Sequence, residues 1–258
     1  MLVFFRAALL ALSCCCAAAR AEDVALRVAY EDKDTPDYAG AAAPAPPHPA
    51  ALLAMLGQLR GRIPELRLVL SRKPWPRCLS DLESGAADAV LAGSATPQRL
   101  ALGALPMRAG RPDRRYRLAS RSYSLYKRKD AALAWDGRRF RDLEGRLGVM
   151  RGYAIGADLN ALGIPVSEVD LQENAFRMLL AGRLGGVVQL SAEADHLLAG
   201  NAEFGRIAKV APPVAVKDYY LLISRGFQAE HPRLARRIWA ALAEMRRAEA
   251  RRLAPKRR

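Results

Sequence analysis

The stretch 74–99 reads PWPRCLSDLESGAADAVLAGSATPQR, and its pattern decides the fold. Trp75 and Pro76 are expected to mark the end of a strand at 66–70 and its exit loop. Leu79, Leu82 and Ala86 recur at helical spacing on one face. Gly85 sits where that helix would stop. Ala89, Val90, Leu91 and Ala92 form a short apolar run suited to a buried parallel strand. GSATPQR, from Gly93 to Arg99, follows at its carboxyl end, where open α/β sheets bind their ligands. Two hydroxyls, a close-approach glycine and the Arg99 guanidinium suit an anionic group there, because arginine grips a carboxylate with paired hydrogen bonds.

Outward from this stretch the same grammar repeats. Residues 25–30 alternate through Leu26, Val28 and Tyr30 as a first strand, and Glu31, Asp32, Lys33 and Asp34 follow at its carboxyl end. A Pro- and Ala-rich loop at 35–49 precedes a helix at 50–59 and the strand at 66–70. A βαβ start of this kind predicts a parallel sheet with crossover helices. Past Arg99 a polar loop at 110–115 leads to an alternating stretch at 116–127 containing Leu118, Tyr123 and Leu125. Arg151, Gly152 and Tyr153 open a helix running toward Leu162, and such a loop exposes backbone N–H groups to an anion. Strands are expected at 166–171 and 186–190, helices at 175–181 and 192–198, a returning strand at 214–223 and a closing helix at 231–252. Length alone permits one or two domains.

The N-terminus has the layout of a secretory signal peptide. Residues 1–21 carry one early charge, Arg6, an apolar core at 7–18, and a closing Ala19-Arg20-Ala21 of small-x-small form. The segment is too short for a good transmembrane helix; a frayed apolar helix is the plainer alternative. A periplasmic location is therefore expected. Cys14, Cys15 and Cys16 lie inside this segment, which leaves Cys78 alone after cleavage and no intrachain disulfide. Leu12-Ser13-Cys14-Cys15 loosely resembles a lipoprotein box, but such a box usually carries Gly or Ala before the cysteine, so a lipid anchor is the less favoured alternative. Cys78 itself is expected to be a small buried hydrophobe.

The formal net charge is +15, and +13 without Arg6 and Arg20; only seven of the 41 basic residues are lysine. A basic balance suits nucleic-acid or membrane partners. The arginines are scattered, however. The densest cluster, Arg246, Arg247, Arg251, Arg252, Lys256, Arg257 and Arg258, closes the C-terminal helix, where cations are favoured. A solvated helix end is expected there, and no nucleic-acid partner.

The stretch 74–99 resembles the family 3 extracellular solute-binding proteins, the periplasmic receptors of amino-acid ABC importers. Their pattern, aromatic-x-R-x-L-x-x-L-x-x-G-x-x-D-A, then a strand, then S/T-x-T-x-x-R, reads here as Trp75, Arg77, Leu79, Leu82, Gly85, Asp88, Ala89, then Ser94, Thr96 and Arg99. DLEGRLGVM, from Asp142 to Met150, matches the family's D-L-x-G-x-x-V-G-V run. The resemblance covers nearly the whole mature chain. It implies an α/β, type II periplasmic-binding fold with two lobes, each a mostly parallel sheet flanked by helices, and a cleft between them. Lobe 1 is expected at 22–120 plus 218–258 and lobe 2 at 121–217, with 116–127 as the first hinge crossing.

The resemblance also implies roles. Arg99 would hold a ligand carboxylate while Ser94 and Thr96 donate hydrogen bonds; Arg151, Gly152 and Tyr153 would close from the opposite side. Each has a bland alternative: a surface arginine at a helix start, a second surface arginine, a glycine needed only for a turn. Glu31, like Asp34, could meet a ligand ammonium or merely pair with nearby arginines. Trp75 could stack on a ligand or cover the sheet edge, and Arg77 could point into the cleft or along its helix. Tyr38, Tyr123 and Tyr219 are weaker cleft candidates. One departure matters. Amino-acid binders carry an ammonium-gripping aspartate at the end of the strand after G-R-x-D-A, whereas this chain has Gly185 at the motif aspartate and Leu190 near the gripping position. A ligand with a carboxylate but no α-ammonium, or a charge partner from Glu31, fits better.

These residues point to a binding protein and not an enzyme: a receptor that captures a small carboxylate-bearing ligand, an amino acid or a relative, by hinge closure and delivers it to an ABC permease. The alternatives are a periplasmic ligand sensor, a degenerate receptor, or a dehydratase-like enzyme on the same fold. An enzyme would need a general acid, for which Glu31, Asp32, Asp34 and Glu173 are the candidates. His48, His196 and His231 stand in no suggestive place, and no metal pattern, phosphate loop or Gly-x-Ser-x-Gly elbow occurs. No cofactor or metal is expected. The expected partners are a small-molecule ligand and an inner-membrane permease or sensor, with the protein a monomer.

Overall fold

Alternation at the start of the chain builds β1 (Val24–Glu31), whose Leu26, Val28 and Ala29 are fully buried. The structure is a computed structural model that describes residues 23–32 and 49–253. The expectations on residues 1–21, the loop at 35–48, Asp34, Tyr38, His48, Lys256, Arg257 and Arg258 lie outside the described residues.

The first unit continues with α1 (Pro49–Gly57), β2 (Leu66–Lys73), α2 (Trp75–Glu83), β3 (Ala89–Ser94) and α3 (Pro97–Leu102). A crossing strand, β4 (Ala119–Arg128), leads to a second unit: β5 (Leu147–Met150), α4 (Ala154–Ala161), β6 (Val166–Val169), α5 (Gln172–Leu180), β7 (Gly186–Leu190) and α6 (Ser191–Gly200). The chain returns through β8 (Ile207–Ser224) and ends in α7 (Arg225–Glu230) and α8 (Pro232–Leu253).

Sheet order is β6-β5-β7-β4-β8-β3-β1-β2, with the short strand Gly103–Ala104 also paired to β8. β1 is parallel to β2 and β3, and β5 is parallel to β6 and β7. Both units thus place their first strand in the middle, between two parallel partners. β4 and β8 join the units as a long antiparallel pair, from Tyr219↔Ala119 to Ile207↔Arg128. Their register slips between Val210 and Ala215, across Pro212 and Pro213, which have no N–H to give the ladder.

Helices cover the sheet. Leu234, Ala235, Ile238, Trp239, Leu242 and Met245 recur every three or four residues along α8 and bury one stripe against Leu26, Leu56, Leu221 and Ile223. Trp239 fixes that contact by donating its indole N–H to the Leu221 carbonyl at 2.8 Å. A second cluster runs from Ala29, Trp75 and Val90 through Tyr123 and Tyr126 to Val149, Phe176 and Val187. Each fully buried aliphatic of this size contributes roughly 1.5–3 kcal/mol. No described helix is long and apolar enough to cross a membrane.

Local expectations shift in three places. β2 runs on to Lys73, and Trp75 begins α2 instead of the exit loop; Pro76 sits in the first turn, where a missing N–H costs no bond. The buried face of α2 is Trp75, Cys78, Asp81 and Leu82, whereas Ala86 lies beyond the helix end and is exposed. Asp81 is tolerated there because Lys73 donates to it and Arg77 pairs with it at 2.9 Å. Gly85 does end the helix, at φ +74°, a conformation favouring glycine. Finally, β8 starts at Ile207, well before the expected 214.

Candidate functional site

The carboxyl ends of β1, β3 and β7 surround a cavity of about 40 Å³. Tyr30 and Glu31 reach it from β1, Leu91 and Ala92 from β3, and Leu190 from β7. Consecutive strand residues normally face opposite ways. Leu91 and Ala92 both line the cavity because β3 is bulged against β8 between Tyr220 and Leu222 and turns through Ala92 at φ +61°, a strained conformation for a residue with a Cβ. The crossing strands add Arg121, Tyr123 and Tyr219, the helices add Trp75, Arg99 and Glu193, and the turn before α4 adds Tyr153. Room of this size holds a few waters.

Arg99 is the buried cation of the site, 6% exposed. Its Nη1 donates to the Ser94 Oγ and, at 3.2 Å, to the Ser94 carbonyl. Its Nη2 donates to the Gly152 carbonyl at 3.0 Å. The guanidinium lies over the Trp75 ring, 4.9 Å from its centroid. Burial pulls its pKa down from the usual arginine range, opposed by Tyr123, Tyr219, Tyr153 and Glu31. Thr96 caps α3 by accepting the Arg99 backbone N–H at 3.2 Å. Ser94 and Thr96 thus serve Arg99 and its helix, and neither lines the cavity.

The opposing jaw is the turn before α4. Gly152 sits at φ +70°, and its carbonyl also accepts the Trp75 indole N–H at 3.1 Å. Tyr153 is 8% exposed and donates its hydroxyl to the Glu31 carboxylate at 2.8 Å. The first unit's Glu31, Trp75 and Arg99 therefore each touch the second unit's Gly152 or Tyr153. Arg151 turns outward: it pairs with Asp170 at 2.6 Å and Glu168 at 3.4 Å and does not line the cavity. Arg77 is likewise exposed on α2, paired with Asp81, and outside the lining.

Two charged residues of the site were not read from the sequence. Arg121 Nη1 pairs with Glu193 Oε1 at 3.1 Å, with side chains 13% and 9% exposed. Arg121 also faces the Tyr219 ring, 5.6 Å from its centroid. Glu193 lies in the first turn of α6, three residues past Leu190, so a search confined to the strand end misses it. Arg121 alternates with Tyr123 on β4, and that two-residue spacing beside one of the weaker cleft candidates is the available signal. Tyr123 and Tyr219 do line the cavity, their hydroxyls 2.7 Å apart. Burial lifts Tyr123 and Tyr153 well above the usual phenol range and Tyr219 to about 12, so all three keep their protons at neutral pH.

The remaining candidates lie elsewhere. Asp32 pairs with Arg72 at 2.5 Å, and Glu173 pairs with Arg177 on the exposed face of α5. Cys78 is buried with its thiol pushed up to about 12, first by burial. His231 packs on Phe227, 4.9 Å between ring centroids. Among the described residues no group of His, Cys, Asp and Glu could hold a metal ion. Gly185, the motif's missing aspartate, passes so close to the next loop that a Cβ would lie 1.9 Å from the Glu144 carbonyl oxygen.

No protein-family model matches the sequence, and no curated protein matches it. Solved structures do match its fold. The chain is similar to the GluR0 ligand-binding core from Nostoc punctiforme in complex with L-glutamate, with TM-score 0.61 and 16% identity over 87% of this chain and 94% of that one. It is similar to a histidine kinase sensor domain with similarity to periplasmic binding proteins, with TM-score 0.63 and 18% identity over 87% and 92%. It is also similar to holo ArgBP from T. maritima, with TM-score 0.62 and 18% identity over 86% and 90%. The chain has the two-lobed, type II periplasmic-binding fold.

Proposed function

We propose that this protein captures a small carboxylate-bearing ligand, an amino acid or a close relative, between its two lobes. The observation that carries the reading is Arg99: a buried guanidinium at the carboxyl end of β3, stacked on Trp75, facing a cavity walled by both units. A buried arginine of this kind is suited to bidentate recognition of a carboxylate. Gly152 and Tyr153 close over Trp75, Arg99 and Glu31, so the ligand enters when these contacts part. The ligand then replaces the Gly152 carbonyl as the Arg99 acceptor, and closure follows from contacts to both lobes.

The lobes are proposed at 22–120 plus 218–258 and at 121–217, with β4 and β8 as hinges. The residues 1–21 direct export, placing the protein in the periplasm. The role is binding without catalysis, and the closed form docks on an inner-membrane ABC permease. A sensing role is the second reading, favoured by the likeness to a histidine kinase sensor domain. A thermal-shift panel of carboxylates, amino acids and polyamines tests the binding reading. A true ligand at a hundred times its dissociation constant adds roughly 2.7 kcal/mol, and no shift with any member contradicts it.

A further inference from the structure

Consecutive residues of a strand face opposite ways. Arg121 and Tyr219 face the cavity, so Ser120 and Asp218, paired across β4 and β8, face away from it. Arginines gather on that far side. Arg114 Nε donates to Asp218 at 2.6 Å, and Arg117 pairs with the same carboxylate at 3.6 Å. Asp113 caps the helical turn Arg114–Tyr116 and binds the Arg115 guanidinium. That turn packs against α8, where Arg246 Nη2 reaches the Arg115 carbonyl at 3.5 Å.

The group is far from neutral. Asp218 is shared by Arg114 and Arg117, and Asp113 is taken by Arg115. Arg108, Arg111, Arg246 and Arg247 stand around them and pair with no carboxylate among the described residues. Arg246 shows the cost. Its Nε is buried without an acceptor, and burial first, then the like charges of Arg117 and Arg247, pulls its pKa below the usual arginine range. Cations crowded in this way are relieved by an anionic partner.

The same turn carries an apolar neighbour. Met107–Arg108 pairs with Arg111–Pro112 in a tight hairpin, closed through Ala109 and Gly110 at positive φ. Asp113 ties the hairpin down by donating its N–H to the Pro106 carbonyl at 2.8 Å. Met107 is nevertheless 46% exposed. A free phosphate or a nucleic acid would use the arginines and leave Met107 in water. A bilayer uses both, because its headgroups meet the cations and its acyl boundary meets the apolar side chain. We propose that this face, formed by the Met107–Pro112 hairpin, the Arg114–Tyr116 turn and α8 around Arg246, docks on a bilayer bearing anionic phosphate headgroups. None of its residues lines the cavity, so the proposal does not depend on what the cavity binds.

The test is co-sedimentation of the full chain with vesicles of phosphatidylcholine alone and of phosphatidylcholine mixed with phosphatidylglycerol. The readout is the ratio of the two partition coefficients, because the apolar residues 1–21 favour either vesicle alike. The expected ratio is well above one and falls as salt rises. Each cation near an anionic surface contributes about fivefold in partition, so Arg246→Gln with Arg247→Gln should lower the ratio by about tenfold or more. Arg108→Gln with Arg111→Gln, on the exposed hairpin, should do the same and decides the matter if the α8 variant does not fold. Met107→Ser should reduce the binding that survives high salt. Arg138→Gln with Arg139→Gln removes equal charge from an exposed loop of the second unit and should leave the ratio within about threefold. No preference for the anionic vesicles overturns the proposal. So does an equal loss in the Arg138 and Arg139 variant, which makes net charge and not this face responsible. Release from the vesicles by millimolar inorganic phosphate at constant ionic strength assigns the arginines to a small anion. Tighter binding to a DNA duplex than to the anionic vesicles assigns them to nucleic acid. Either result overturns the proposal as well.

Discussion

Arg99 Nη2 donates to the Gly152 carbonyl at 3.0 Å, tying the helix after β3 to the turn after β5. The same carbonyl accepts the Trp75 indole N–H, so one peptide group of the second unit bridges two side chains of the first. Arg99, the proposed carboxylate grip, is in this way also part of the clasp, and opening the clasp frees it.

Gly152 holds that carbonyl in place by adopting φ +70°. A side chain there would be strained, and an added Cβ would stand 3.4 Å from Trp75 Cδ1. Gly152→Ala is expected to cost about 1–2 kcal/mol and to weaken ligand binding. Urea unfolding monitored by tryptophan fluorescence checks the first part; an unchanged midpoint contradicts the turn geometry.

Tyr153→Phe removes the hydroxyl that meets Glu31 at 2.8 Å and leaves a carboxylate facing a ring. The expected loss is about 0.5–1.5 kcal/mol, the net worth of one hydrogen bond. Since the bond spans the two units, small-angle scattering of the variant should show a larger radius of gyration. A scattering curve identical to that of the unmodified protein argues against Tyr153 as a clasp.

Gly185→Ala forces a methyl against the Glu144 carbonyl oxygen, 1.9 Å from the added Cβ. Backbone must move to accommodate it, at a cost of about 1–3 kcal/mol or more. The melting temperature should fall markedly, and a Gly185→Asp variant intended to restore the family motif should fall at least as far.

Acid should destabilise the protein through paired aspartates. The Arg115 guanidinium hydrogen-bonded to Asp113 holds its carboxyl at about 2, below the ordinary 3.8. The Lys73 hydrogen bond lowers Asp81 in the same direction. A folded-state pKa below the unfolded one gives stability that is full above the unfolded value and lost as pH falls through the folded value. Melting temperatures should therefore hold near neutrality and drop between about pH 4 and pH 2, and Asp113→Asn should flatten part of that drop. A profile with no fall in that range contradicts these pairings.

Much of the fold was legible because apolar periodicity is local. Ala89–Ser94 declared itself as a buried strand, and Gly186–Leu190 likewise, with each boundary within a few residues. Arg99 was legible because it closes a motif at a strand's carboxyl end. What stayed hidden depends on side-chain direction and on contacts far apart in sequence. Nothing local says that Arg151 turns out to Asp170 while Tyr153 turns in to Glu31. The Arg121–Glu193 pair joins positions seventy-two residues apart, and no spacing rule reaches across that distance. Gly185 looked like a lost aspartate in the sequence; the structure gives it a reason of its own, the passage of Glu144.

The most direct test of the central claim is calorimetric titration of the tightest carboxylate ligand from the thermal-shift panel into the unmodified protein and into Arg99→Gln. The account predicts saturable binding to the first and at least a hundredfold loss in the second, with the variant still showing a cooperative melt. Equal affinity for the two proteins would contradict Arg99 as the carboxylate grip and with it the proposed binding mode.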